Sequence, residues 1–244
     1  MPRWLAAVVP TLNEADRLQT LLAQLTADAT ISLVVVADGG SEDGTVGTAM
    51  TFAGRHAATD GGAEVAVIQA PRGRARHLNA GAQRALLETG VTALLFVHAD
   101  CGLPPGFGGH IAGALADPNT VGGAFRTWTV DDTGRSPLAP LLHLADLRSR
   151  YSSLPYGDQA PFMRASAFSE LGGYPDQPLM EDLEMSRRLR RLGRVRTVRG
   201  RVTVSGRRFL ARPVFYSVLV NVFPLLYRLG VSAERLARLY GHVR

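Results

Sequence analysis

Five polar clusters in this 244-residue sequence hold side chains able to do chemistry, and four of them directly follow apolar runs. Pro10-Thr11-Leu12-Asn13-Glu14 makes a rigid turn rich in donors and acceptors. Asp38-Gly39-Gly40-Ser41-Glu42-Asp43-Gly44-Thr45 pairs glycines, which allow close backbone approach, with a carboxylate that can accept from a base N–H or a ribose hydroxyl. Pro71–Gly81 brings Arg72, Arg76 and Asn79 to a helix start, where backbone N–H groups favour anions. It lacks the Gly-Lys-Ser/Thr ending of a P-loop. In His98-Ala99-Asp100, alternation along an extended segment puts both ligating side chains on one side. A carboxylate beside a diphosphate calls for a bridging Mg2+ or Mn2+, and an imidazole suits Mn2+ better. Met180-Glu181-Asp182-Leu183-Glu184 sets three carboxylates at a helix start, either as dipole stabilisers or as a base for an acceptor hydroxyl. Tyr156-Gly157-Asp158-Gln159 adds polar groups in an extended segment. Taken singly, each cluster reads equally well as capping or turn chemistry.

The elements that must position these groups alternate. Trp4–Val9, Ile31–Val36, Glu64–Ile68 and Thr92–Val97 read as strands, with Pro10-Thr11 breaking the first. Helices are predicted from the Leu18, Leu21, Leu22, Leu25 spacing, from near Asp43, and over 75–87. Continuous apolar strands separated by helices define a mostly parallel sheet covered on both faces, whose ligands bind beyond the carboxyl ends of the strands. The first four clusters sit at those ends. The second half is less regular. It predicts a strand over 121–129, a polar turn at 131–137, and helices over 138–150, 179–192, 213–229 and 233–240, with 157–162 extended. No linker divides the chain, so a single α/β domain over 1–210 with a helical extension over 211–244 is expected.

Composition narrows the class. Hydrophobic residues make up 46% of the chain and charged ones 20%, which excludes disorder, collagen and coiled coil. One cysteine, Cys101, excludes a disulfide framework and a cysteine zinc site. The start of the chain has too short an apolar run for a signal peptide, which predicts a cytoplasmic protein. All 27 basic residues are arginine, and eleven lie between Arg187 and Arg212 with no acid among them. That field favours an anionic partner. The 213–229 stretch is interrupted by Asn221 and Pro224 and falls short of a membrane span. Flanked by Arg207, Arg208, Arg212 and Arg228, segment 207–229 either packs on the domain or touches the inner membrane face.

The order of the clusters is more specific than any one of them, and it strongly resembles the family 2 glycosyltransferases over residues 5 to about 195. Val9–Glu14 resembles that family's first-strand motif, and Asp38–Thr45 its Asp-Asp-Gly-Ser-x-Asp-Gly-Thr, with Gly39 in place of the second aspartate. His98-Ala99-Asp100 falls where the family has Asp-x-Asp, and Glu181-Asp182 where it has its Glu-Asp base motif. Pro71–Gly81 and Gly157-Asp158-Gln159 are similar to a bacterial subgroup labelled arsenosugar-biosynthesis glycosyltransferases.

The resemblance implies a GT-A (Rossmann-like) fold and a hexosyltransferase-like enzyme, acting with inversion on a UDP- or GDP-linked sugar. Pro10, Thr11, Asn13, Glu14, Asp38, Arg72, Arg76, Asn79, His98 and Asp100 would bind the nucleotide-sugar. Asp100, with His98, would hold Mn2+ or Mg2+. Asp182 would be the base and Glu181 its positioning partner, and Tyr156, Gly157, Asp158 and Gln159 would meet a small-molecule or lipid acceptor. Two alternatives stand beside it. A sugar-phosphate nucleotidyltransferase shares the fold, but Thr11-Leu12-Asn13-Glu14 replaces the Gly-rich basic loop it requires. A non-enzymatic binder of RNA or membrane would use the arginines. Only Phe209 stands among them as a stacking aromatic, so no nucleic acid is expected.

Overall fold

All seven residues of Leu5–Thr11 (β1) are buried, and their alternation already defines two cores. Leu5, Ala7 and Val9 enter one apolar cluster, Ala6 and Val8 another. A strand buried on both faces belongs at the centre of a helix-covered sheet. The computed structural model describes residues 3–57, 62–131, 142, 146, 154–206, 210 and 222–240. Its sheet adds Ile31–Asp38 (β2), Glu64–Gln69 (β3), Ala93–Phe96 (β4), Cys101–Gly102 (β5), Thr120–Val130 (β6), Phe162–Arg164 (β7) and Arg194–Ser205 (β8). The strand order is β3-β2-β1-β4-β7-β6-β8-β5. β1 pairs in parallel with β2 and β4, β2 with β3, and β6 with β8, while β7 runs antiparallel to β4 and β6.

Helices Ala15–Ala27 (α1) and Phe107–Leu115 (α4) bury Leu18, Leu21, Leu22, Leu25, Phe107 and Ile111 in the first core. Thr45–Ala57 (α2) adds Ala49 to it. Arg74–Leu86 (α3), Ala165–Glu170 (α5) and Glu181–Leu192 (α6) cover the other face through Leu78, Ala82, Phe168, Met185 and Leu189. On α3, a methyl group at Gly81 would overlap Val8, so the missing side chain lets the helix lie directly on β1. The result is the expected mostly parallel α/β domain with helices on both faces. The carboxyl ends of β1, β2 and β4 are where the polar clusters gather.

Several local expectations change. β1 continues through Pro10 to Thr11. The β1–β4 pairing stops at Val8 and Phe96, so Pro10, which has no N–H, lies past the end of that ladder. Residues 98–100 are not extended: the Cys101 N–H donates to the His98 carbonyl at 3.0 Å and closes a turn. Gly157–Gln159 is a 3-10 turn, because the Gln159 side chain folds back to accept from the Tyr156 N–H at 2.9 Å.

The arginine run holds an unanticipated strand, β8, in which Arg194, Arg196, Arg199 and Arg201 are exposed. Part of its charge is locally answered. Arg187 and Arg188 pair with Glu184, Arg194 and Arg196 pair with Asp117, and Arg201 lies over the Trp128 ring.

Beyond β8, residues 222–228 are helical and Ala233–Tyr240 forms α7. Phe223 and Leu236 bury against Met180 and Leu183 at the start of α6, with Leu154, Tyr156, Leu226 and Val231 packed around them. Most of the helix predicted over 138–150 lies outside the described residues, as do residues 213–221 and Arg207, Arg208 and Arg212. Among the described residues, no helix is long and apolar enough to cross a membrane.

Candidate active site

The loops after β1 and β2 are laced together by side chains of the Ser-Glu-Asp-Gly-Thr motif. The Asn13 N–H donates to Ser41 Oγ and the Glu42 N–H to Asn13 Oδ1, each at 2.9 Å. The Glu14 N–H donates to Thr45 Oγ1 at 2.9 Å and the Ala15 N–H to Asp43 Oδ2 at 3.1 Å. Asn13 sits at φ 58°, a left-handed conformation that asparagine tolerates. Asp43 also accepts from the Thr45 hydroxyl and N–H, capping α2, and the Thr45 hydroxyl leads the bonds holding its carboxyl below the ordinary range.

Under this lacing lies buried Asp38. It accepts from Thr11 Oγ1 at 3.0 Å, from the Gly40 and Ser41 N–H groups at 2.9 and 2.8 Å, and from the Ser41 hydroxyl. Burial opposes its ionisation, but these donors prevail and keep the carboxyl below its usual value. Asp38 therefore organises the loop as a charged acceptor whose oxygens are already engaged.

The second half of the site meets the first through one arginine. Arg74, the first residue of α3, places Nε 3.1 Å from Glu181 Oε1 and Nη2 3.7 Å from Asp182 Oδ2. Nη2 also lies 2.8 Å from His98 Nε2. A guanidinium only donates, so His98 Nε2 accepts and the imidazole carries its proton on Nδ1. Glu181 is 2% exposed. Burial pushes its pKa up and neighbouring Asp182 adds to this, while Arg74 pulls it down; the net direction is upward. Burial also works against the Arg74 charge, yet Glu181 and Asp182 outweigh it and raise the guanidinium pKa.

Asp182 accepts from the Gly157 N–H at 2.8 Å, and the Ser186 hydroxyl donates to the Pro155 carbonyl at 2.7 Å, so turn 155–159 is strapped to α6. Buried Tyr174 stands edge-on to Phe96 beside them. Pro10, Arg74, Phe96, His98, Gly157, Tyr174 and Asp182 line one cleft.

Not every anticipated contact residue points inward. Arg72 is exposed ahead of α3, and Arg76 forms a forked, exposed ion pair with Asp176. Asn79 exchanges two 2.8 Å bonds with the backbone of Tyr174. Gln159 is buried between the Tyr156 N–H and the Phe125 carbonyl, and Tyr156 packs with the C-terminal helices. Asp158 lies within electrostatic range of Arg74 and of Cys101, whose buried thiol is raised far above its usual pKa.

Among the described residues, no three His, Cys, Asp or Glu side chains converge as a metal cage. Arg74 engages His98 Nε2, so of the expected His98–Asp100 pair the Asp100 carboxylate has the hard oxygen chemistry of a Mg2+ or Mn2+ ligand, and a cation there would keep much of its water rather than sit in an all-protein site.

The residue that sequence reasoning missed is Arg74, and a signal was present. Arg74 lies four residues before Leu78 and seven before Gly81, on the buried face of α3, whereas Arg76 lies on the opposite face.

The model for "Glycosyl transferase family 2" matches residues 6–172, and the chain belongs to that family. Its fold is similar to the Pyrobaculum calidifontis mannosyltransferase PcManGT in complex with GDP-Man and Mn2+, at 20% identity and TM-score 0.60, over 83% of this chain and 57% of that one. S. aureus TarS 1-349 in complex with UDP is similar at 16% identity and TM-score 0.59, over 88% and 63%. GalNAc-T7 with UDP, GalNAc and Mn2+ gives 14% identity and TM-score 0.63, over 83% and 44%. The chain thus spans less than two thirds of these relatives' lengths, and at these identities the likeness is one of fold. No curated protein matches the chain.

Proposed function

We propose that this glycosyltransferase is an inverting, hexosyltransferase-like enzyme that moves a sugar from a UDP- or GDP-linked donor to an acceptor hydroxyl. The observation that carries the reading is the shared guanidinium: Arg74 joins the His98 turn after β4 to Glu181 and Asp182 on α6. Groups far apart in sequence thereby line one cleft at the carboxyl ends of the strands, where α/β sheets bind ligands. The two segments that resemble the arsenosugar-labelled subgroup also meet here, at Arg74 and Gly157.

In this mechanism Asp182 removes the acceptor O–H proton. The acceptor oxygen forms a bond to the anomeric carbon as the bond from that carbon to the diphosphate breaks on the opposite face. Nucleoside diphosphate leaves and the proton stays on Asp182. Gly157 holds Asp182 in place and Glu181 sets the local charge through Arg74. Positioning a base is worth about 10²–10⁴ in rate. Glu181 and Asp182 outnumber Arg74, so a diphosphate enters a site that is already short of positive charge. A divalent ion held by Asp100 and the donor's phosphates would supply it and neutralise the leaving group. The acceptor, a small molecule or a lipid, would approach over turn 156–159, beside the C-terminal helices.

A thermal-shift panel of UDP, GDP, CDP and their sugars, with and without Mn2+ or Mg2+, tests this on wild type and Asp100→Ala. A ligand at about 100 times its Kd adds roughly 2.7 kcal/mol, a shift of a few degrees. Metal-dependent stabilisation by one diphosphate, lost in Asp100→Ala, supports the reading and names the base. No response to any nucleotide overturns it.

A further inference from the structure

We infer that Arg74 is the residue that binds the donor's diphosphate, reaching it from between the His98 turn and the Glu181–Asp182 pair. The inference rests on the transferase reading and adds to it a residue and a chemical selectivity. A guanidinium has five N–H groups in a rigid fork. In Arg74, Nε faces Glu181, and Nη2 is shared between His98 and Asp182. Among the described residues, Nη1 takes no hydrogen-bond acceptor, and 36% of the side chain remains open on the cleft. Nη2 is thus held by His98, Nε is paired with Glu181 by charge alone, and Nη1 is left for an anion.

The surroundings hold the fork in place. Glu181, 3% exposed in its side chain, would be an uncompensated buried charge without Arg74. Gly157 leaves the room that Nη2 occupies, since a methyl group there would overlap it. Lysine, a point charge on a flexible stem, cannot span Glu181, His98 and an incoming phosphate together. Arg72 and Arg76, the other arginines of the same segment, are exposed, and Arg76 is engaged by Asp176.

The test is calorimetric titration of the full chain, with Mn2+ present throughout, by UDP and GDP and by uridine and guanosine. Wild type is compared with Arg74→Lys, Arg74→Gln and Gly157→Ala, the last displacing the guanidinium without deleting it. Affinity for the preferred diphosphate is expected to fall about tenfold or more in each variant, as loss of charge-assisted bonds requires, while affinity for its nucleoside is unchanged. If Arg74→Gln fails to fold, the other two variants carry the comparison. Unchanged diphosphate affinity in folded variants, or an equal loss for nucleoside and diphosphate, overturns the inference and leaves the transferase reading intact. A wild-type protein that binds neither UDP nor GDP overturns both.

Discussion

The Gly157 N–H donates to Asp182 Oδ2 at 2.8 Å, so a backbone group of one turn fixes the carboxylate of a helix start. This bond leaves Asp182 Oδ1 bonded to the neighbouring Leu183 N–H and the side chain 13% exposed at the cleft. An acceptor-only group held this firmly is preorganised for proton abstraction.

Asp182→Asn therefore separates holding from chemistry. The amide oxygen can still accept from Gly157 and only the Leu183 bond is lost, so the fold and nucleotide binding are expected to be retained. Turnover is expected to drop by about 10²–10⁴, as measured by release of nucleoside diphosphate from the donor in the presence of acceptor. Near-normal turnover would remove Asp182 as the base.

Gly39 and His77 share one volume. A methyl group at Gly39 would overlap the imidazole Cε1 and Nε2, and that ring is only 5% exposed. Gly39→Ala is expected to cost about 1–3 kcal/mol by overpacking. Adding His77→Ala to it should recover part of that loss, with a coupling of about 0.5–3 kcal/mol between neighbours. Urea unfolding of the two singles and the double measures it; strictly additive losses would refute the shared volume.

The same ring makes stability depend on pH. Burial holds His77 below its ordinary value of 6.5, while the Asp38 charge and the Pro71 carbonyl pull the other way. The unfolded chain then binds the proton more readily than the folded one. Stability from the neutral ring is present above about pH 6.5 and is lost as pH falls toward the folded-state value. Wild type should lose more stability than His77→Gln on acidification across that window, read from denaturant midpoints. Parallel curves for the two proteins would show that another group is responsible.

Asn79 ties two parts of the fold together, so its replacement is expected to show in stability. Its amide makes two 2.8 Å bonds with the Tyr174 backbone, tying α3 to the loop that carries Tyr174. Asn79→Ala leaves both Tyr174 groups without that partner and is expected to cost about 1–3 kcal/mol. Calorimetric melting checks the loss. A variant as stable as wild type that fails to bind nucleotide would return Asn79 to the binding site.

The amino-acid order alone was enough for the parallel half of the sheet, β1 to β4, and for the strand ends where the polar clusters gather. Unbroken apolar runs such as Leu33–Ala37 fit burial on both faces of a sheet, and the polar clusters that stop them lie at strand ends. The Leu18, Leu21, Leu22, Leu25 spacing and the Asp43 cap are equally local signals, and α1 and α2 formed where those signals lie. Strand β8 stayed hidden because its arginines suggested a charged surface, while its apolar residues bury only against β6 and the helices, a long-range partnership.

Direction was the other thing that only tertiary structure decided. Arg72, Arg74 and Arg76 are alike in type and close in sequence, yet only Arg74 reaches the cleft. The phase of α3 against β1, set by Gly81 lying on Val8, turns that one residue toward Glu181, Asp182 and His98. A sequence names the groups that can carry charge. Which of them share a charge depends on how two helices and a strand end pack in space.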